Sequence, residues 1–353
     1  MGMARLSNAS AIYTSRRRKA GSGLRFLPLC SQSMAIFFIK RLLTLLATLL
    51  AASAVVFVVL EILPGNAAQV LLGPDASPEA VAELARQLGL DQPAATRYMH
   101  WIGGLLTGDM GVSHAYGSPV SELIFERLAL TIPLAVMAML LTTLIALAAG
   151  IYAASRHGRW GDVSVMGLAQ IGIAVPNFWF AILLILVFSV KLQWFSAGGF
   201  PGWSEDQGGG LLPALRALLL PAISLAVVQA AILARITRSA VLDVSREDFV
   251  RTARAKGLSQ GAALWRHVLR NAMIPVVTVM GLQFANLLAG TIVVENVFYL
   301  PGLGRLIFQS IANRDLIVVR NCVLLLAAMV VIVNFVVDVL YAVIDPRIKA
   351  GEL

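Results

Sequence analysis

A chain of 353 residues that is 58% hydrophobic and only 13% charged, with a mean hydropathy of +0.81, falls far below the roughly 25% charged residues of a soluble domain and reads as a protein that faces lipid. Its two cysteines, Cys30 and Cys322, lie far apart, which excludes a disulfide framework, a CxxC redox pair and a thiolate metal site. A net charge of +9 would suggest nucleic acid in a soluble protein, but in a membrane chain the basic residues first mark the cytoplasmic side, and no nucleic-acid partner is expected.

Residues 1–33 are rich in Ser and Arg, free of acids and not periodic. A transit peptide has this composition, and Arg16-Arg17 hints at a twin-arginine signal, although no apolar stretch follows. The reading adopted is a disordered extension, or a start codon placed upstream of Met34. Six stretches then approach the ~20 apolar residues needed to cross a bilayer. They are Leu42–Ile62, Leu128–Ala153, Val163–Val190, Leu211–Leu233, Met273–Val294 and Leu316–Ile344. The fourth is interrupted by Arg216, Pro221 and Gln229, which neighbouring helices can satisfy inside a bundle.

Eight Lys and Arg precede Leu42, two more (Arg156, Arg159) follow the second span, eight lie from Arg235 to Arg270, and Arg347 and Lys349 close the chain. Seven acids meet three arginines in residues 64–127. The positive-inside bias therefore predicts an all-α membrane protein of six transmembrane helices with both termini cytoplasmic. Residues 34–63 carry the first span, 64–127 form an extracytoplasmic cap between helices 1 and 2, and 128–350 form the core. Within the cap, Ser77 is placed to cap a helix beginning at Pro78, with Val81, Leu84 and Leu88 on one face and Gly89 as its stop. Tyr98, Trp101, Ile102 and Leu105 repeat a helical spacing, which points to packing or an interfacial belt rather than a ligand cage.

Between spans four and five, Ser245 to Pro275 reads as helix, turn, helix. Ser245 and Asp248 suggest a capping box; Phe249, Val250 and Ala253 form an apolar patch on a helix from Arg246 to Lys256; Gly257 is the left-handed stop; Ser259 caps a second helix carrying Ala263, Leu264 and Val268. An ordinary basic juxtamembrane loop would have the same composition. Ionisable residues inside spans are Glu61, Arg216, Arg320 and Asp338; their positions near helix ends favour structural roles over a proton relay. Gln229, Gln283 and Asn286 are candidates to line a polar pathway, which interhelical hydrogen bonding explains equally well. The histidines, His100, His114, His157 and His267, show no metal-binding spacing, and no Gly-x4-Gly-Lys-Ser/Thr loop is present to hold nucleotide phosphates. No cofactor is expected.

The stretch Phe249-Val250-Arg251-Thr252-Ala253-Arg254-Ala255-Lys256-Gly257 resembles the coupling loop of ABC-importer permeases, whose pattern runs Glu-Ala-Ala, three residues, Gly, nine residues, Ile-x-Leu-Pro. Here Arg251-Thr252-Ala253 and His267-Val268-Leu269-Arg270 occupy the two ends, without the Glu and the Pro. That variant form is similar to the dipeptide, oligopeptide and nickel permeases. Leu63-Pro-Gly-Asn66, Gly108-Asp-Met-Gly-Val-Ser113, Pro176-Asn-Phe-Trp179, Val297-Phe-Tyr-Leu-Pro-Gly-Leu-Gly304 and Asp345-Pro-Arg347 resemble that family's other signposts, in order, from Met34 onward. The long cap resembles its B-type subunit. The resemblance implies a multi-pass permease of the bacterial inner membrane that is not itself an enzyme. Its implied partners are a second homologous permease, two cytoplasmic ATPase subunits that couple through 249–257, an extracytoplasmic solute-binding protein, and membrane lipid. Dipeptides or oligopeptides are the expected cargo, with nickel or another small solute as the alternative. A secondary transporter is the rival class, and it would show a buried ion relay and an internal repeat.

Overall fold

The computed structural model describes residues 29–62, 67–73, 75–87 and 89–344. Residues 1–28, the Leu63-Pro-Gly-Asn66 signpost, Leu88 on the predicted cap face, and the closing Asp345-Pro-Arg347 with Lys349 lie outside the described residues. The secondary structure is helical, in the order α1 (Leu29–Ile62), α2 (Ala67–Leu72), α3 (Pro78–Gln87), α4 (Ala94–Thr107), α5 (Val120–Ser155), α6 (Trp160–Ala174) and α7 (Asn177–Leu184). After α7 come π turns at Ile185–Lys191, then α8 (Leu211–Ser245), α9 (Asp248–Ala255), α10 (Gln260–Ala263), π turns at Leu264–Val268, α11 (Leu269–Val297), α12 (Leu303–Ala312) and α13 (Leu316–Ile344). The one β-type pairing among the described residues is a bridge between Val112 and Pro119. Helix α1 begins upstream of the boundary placed at Met34.

Among the described residues, five helices are long and apolar enough to span a bilayer: Phe38–Ile62, Val120–Ser155, Leu211–Ser245, Gln260–Val297 and Leu316–Val339. The third expected span, Val163–Val190, is not one straight helix: α6 and the segment Asn177–Lys191 meet at 102°. The cause is Pro176, whose ring pushes the preceding Val175 to φ −86° and ψ 123° and whose missing N–H cannot continue the ladder. Counted as a single broken span, the pair makes six.

The polar interruptions of α8 are explained by where it lies. Two thirds of its most apolar window is buried inside the bundle, against 11% for α1. Leu218, Leu220 and Leu225 of α8 share a core with Leu130 and Leu134 of α5 and Leu287 and Phe298. Toward the α9 end, Leu233, Ala234 and Val241 join Ala146 and Ala154 of α5 and Leu269, Ala272 and Val276 of α11. Helices α1 and α13 lie side by side and antiparallel: Arg41 pairs with Asp338 at one end (3.2 Å), while Phe57 and Glu61 share a cavity with Leu316 and Arg320 at the other. Helices α11 and α13 approach so closely that a Cβ on Gly281 would overlap Val337.

Several local helix signals of residues 75–107 are present in the structure. Ser77 Oγ accepts from Ala80 N at 3.2 Å, Gly89 has φ +67°, and Val81 and Leu84 are half-buried. The aromatic stripe of α4 is packing: Trp101 is buried and stacks on Phe57, and Tyr98 shares a hydrogen bond with Ser53 of α1 (2.8 Å).

Candidate functional site

The helix–turn–helix after α8 forms where expected, but its first turn is built differently. Helix α8 runs on through Ser245, whose hydroxyl donates back to Val241 O at 2.5 Å; the capping position of α9 falls to Glu247, without a side-chain cap. The predicted Ser245–Asp248 capping box is therefore absent, because a hydroxyl in the last turn of one helix cannot also cap the next. Asp248 instead lies 3.5 Å from Arg251. At the other end Gly257 adopts φ +97°, with Leu258 N donating to Ala253 O (3.3 Å). A Cβ at Gly257 would meet no atom within 4 Å, so the conformation and not space demands glycine. Ser259 then caps α10, accepting from Ala262 N at 3.3 Å.

The apolar patch of α9 divides in two. Val250 is 3% exposed and sits in the core with Val241, Ala263, Val268 and Leu269, so it anchors the short helix rather than presenting a knob. The difference arises because the chain turns sharply at Arg246–Glu247, laying α9 with that side against the bundle. Phe249 points away, 44% exposed, with Ala253 half-buried between the two sides. Arg251, Thr252, Arg254, Ala255 and Lys256 are exposed. Trp265, 68% exposed in the second helix, adds an aromatic surface that the sequence reading passed over.

Beside this unit is a charged cluster. Asp162, in the first turn of α6 and buried, receives two hydrogen bonds from Arg238 of α8, Nε to Oδ1 at 2.5 Å and Nη2 to Oδ2 at 2.7 Å. Gly158 N donates a third (3.0 Å), and Arg238 Nη2 also donates to His157 Nδ1 (3.0 Å). At the opposite end of α11, buried Glu295 accepts from Thr131 Oγ1 and from Gly304 N, both at 2.7 Å, while Thr131 Oγ1 accepts from Leu303 N (2.9 Å). The carboxylate thus closes the start of α12 against α5. Asp162 and Glu295 escaped the sequence reading for one reason: each stands one residue outside a predicted apolar run, because a hydropathy criterion stops at the charge.

Of the pathway candidates, Gln229 and Gln283 face each other inside the bundle, Gln283 Nε2 donating to Gln229 O at 3.0 Å, the geometry of an interhelical bond. Both Oε1 atoms are buried without a partner. Asn286 lies elsewhere, exposed on α11, and is not brought together with them. Among the described residues no group of three or more His, Cys, Asp or Glu could hold a metal ion.

Comparison with known proteins follows the same outline. The family described as "Binding-protein-dependent transport system inner membrane component" matches residues 146–350, and the amino-terminal family "Binding-prot-dependent transport system membrane comp, N-term" matches residues 34–135. A putative peptide transport system permease of Brucella abortus is 41% identical over 316 residues, covering 90% of this chain and 99% of that protein. The dipeptide transport system permease of Alkalihalophilus pseudofirmus is 39% identical, covering 90% and 100%. The glutathione transport system permease of Salmonella choleraesuis is 43% identical, covering 90% and 99%. Among solved structures, the inward-facing MetNI methionine ABC transporter superposes with a TM-score of 0.52 at 18% identity, covering 64% of this chain and 97% of that one, a likeness of fold.

Proposed function

Because the chain belongs to the family of binding-protein-dependent transport system inner membrane components, we propose that it forms half of the translocation pathway of an ATP-driven peptide importer, with a second homologous permease as the other half. Its relatives' names support peptides as the cargo. In this reading both termini and α9 face the cytoplasm, as the basic residues favour, and residues 64–127 form the extracytoplasmic cap toward a solute-binding protein. Two ATPase subunits supply the hydrolysis, one of them docking on α9. The proposed coupling surface comprises the exposed residues of 249–257, chiefly Phe249, with Val250 as its anchor. Residues 1–33 are read as an extension that transport does not need.

The observation that carries the coupling role is the two-sided seating of α9. A helix fixed by Val250 to α8 and α11, yet offering Phe249 outward, converts a push on its surface into movement of the spans that hold it. The test is ATP hydrolysis and labelled-dipeptide uptake by the complete importer reconstituted in liposomes. Phe249→Asp should abolish stimulated hydrolysis and uptake without loss of insertion. Gly257→Val, which costs about 1–2 kcal/mol at a left-handed position, should uncouple the two in the same way. Wild-type coupling in both variants would refute the coupling role. Intact coupling with no uptake of dipeptides or tripeptides would refute the peptide reading alone, and would favour nickel or another small solute.

A further inference from the structure

A cavity of about 430 Å³ lies between the end of α1, helix α4, the turn at Asp109–Gly111 and the start of α13. Phe57, Leu60, Trp101 and Ile317 give it apolar walls, and Arg97 and Arg320 give it two cations. The cations are not equivalent. Arg97 is paired with Glu61. Arg320 has no ion-pair or hydrogen-bond partner among the described residues; its Nε is buried and unmatched, and its guanidinium rests over the Trp101 ring at 5.2 Å.

Of the nearby carboxylates, Asp109 and Asp315 accept from neutral donors and make no ion pair with Arg320. Asp109 Oδ1 accepts from Gly111 N (2.8 Å). Asp315 accepts from Ser113 Oγ (2.5 Å) and Ala115 N (3.1 Å) with one oxygen, and from Val318 N (3.3 Å) with the other. A guanidinium held on an aromatic face with a buried N–H left unmatched is set up to receive an anion, and phosphate matches its planar donor geometry. The level in the bilayer narrows the source. Arg320 stands about one turn inside the span Leu316–Val339, and Glu61 lies in the last turn of Phe38–Ile62, so the cavity straddles the boundary between hydrocarbon and water. Beside it, Val58, Val59 and Ile62 of α1 are at least half exposed, an apolar rail on which acyl chains can lie.

We propose that this cavity binds the phosphodiester headgroup of an anionic phospholipid, with Arg320 as its charge partner and the acyl chains along the exposed face of α1. The proposal rests on the chain's spanning a bilayer and is independent of the cargo and of the coupling role. A bound lipid there would fasten α1 and the 64–127 segment to α13 through a ligand the membrane supplies.

The test is native mass spectrometry of the full-length chain released from neutral detergent after titration with dioleoyl phosphatidylglycerol or dioleoyl phosphatidylcholine. One phosphatidylglycerol should be retained about fivefold better than phosphatidylcholine, the preference expected for one basic residue facing an anionic headgroup. Arg320→Gln should abolish that preference and Arg320→Lys keep part of it. Glu61→Gln, which frees Arg97, should raise it; this variant decides the matter if Arg320→Gln does not fold, since a purely structural role for the cavity predicts no gain. Equal retention of the two lipids by the wild type, or an unchanged preference in both Arg320→Gln and Glu61→Gln, overturns the proposal. Displacement of the lipid by millimolar inorganic phosphate overturns the lipid as source and assigns the cavity to a soluble anion.

Discussion

The Asp162–Arg238 pair permits a quantitative prediction, because its two sides are buried unequally. The Asp162 side chain is 5% exposed and that of Arg238 24%. Arg238→Ala strands a buried carboxylate with only Gly158 N and His157 for company. Breaking a fully buried pair from one side costs about 3–5 kcal/mol; discounted for the remaining N–H bond and for the partial exposure of the arginine, about 2–3 kcal/mol is expected. Asp162→Ala leaves an arginine that can carry its head to water along its own stem, at a cost of about 1 kcal/mol. The double variant buries no charge and should cost no more than Asp162→Ala, so the cycle should show a coupling of about 2–3 kcal/mol. Arg238→Lys, which cannot reproduce the two-pronged contact, should fall between wild type and Arg238→Ala. Unfolding of the purified chain by SDS titration in mixed micelles measures all four variants. Additive effects, or equal losses from the two alanine variants, would show that the pair is not the fastening between α6 and α8 that its geometry indicates.

Two further outcomes are expected. Gly281→Leu should cost about 1–3 kcal/mol by forcing α11 away from α13, with partial relief from Val337→Ala in the same SDS titration; a silent Gly281→Leu would refute the close approach. Single cysteines at Glu83 and Ser259, in a background lacking Cys30 and Cys322, should react with an impermeant thiol reagent from opposite faces of the membrane, and labelling of both from one face would reject the proposed orientation.

Apolar length was enough to read most of the fold from the sequence, because a spanning helix must bury every backbone group within itself and so needs a long run. What the runs could not show was direction. Val163–Val190 contains enough apolar residues for a straight span, yet Pro176 turns it through 102°, a steric effect of one ring on the residue before it. On α9 the spacing of Phe249, Val250 and Ala253 correctly marks an apolar side, but only the turn at Arg246–Glu247 decides that Val250 goes into the core while Phe249 stays out. Ser245 failed as a cap for a similar reason: α8 outlasts its apolar run and absorbs the residue into its last turn. Asn321 illustrates the opposite limit, since nothing local announces that it accepts from Trp101 Nε1 (2.9 Å) and donates to Met110 O (2.9 Å), both more than two hundred positions away.

In hydrocarbon an unmet polar group costs several kcal/mol, so where a buried polar side chain of one helix is met by another element, the meeting records which elements travel together. Glu295 joins α11 to α5 and α12. Asp315 and Asn321 join α13 to the 110–115 turn, and Asp162 joins α6 to α8. Helix α1 meets the remainder through the Phe57–Trp101 stack and the Ser53–Tyr98 hydrogen bond and through Arg41–Asp338 and Glu61–Arg97, ion pairs that are partly exposed and therefore individually weak. Under the coupling role proposed for α9, a displacement there would pass through Val250 into α8 and α11, and α6 would follow because leaving its buried carboxylate behind costs about 2–3 kcal/mol. Helix α4 is bound in as well, since Trp101 Nε1 donates to Asn321 of α13 in a buried bond, so α4 must follow α13.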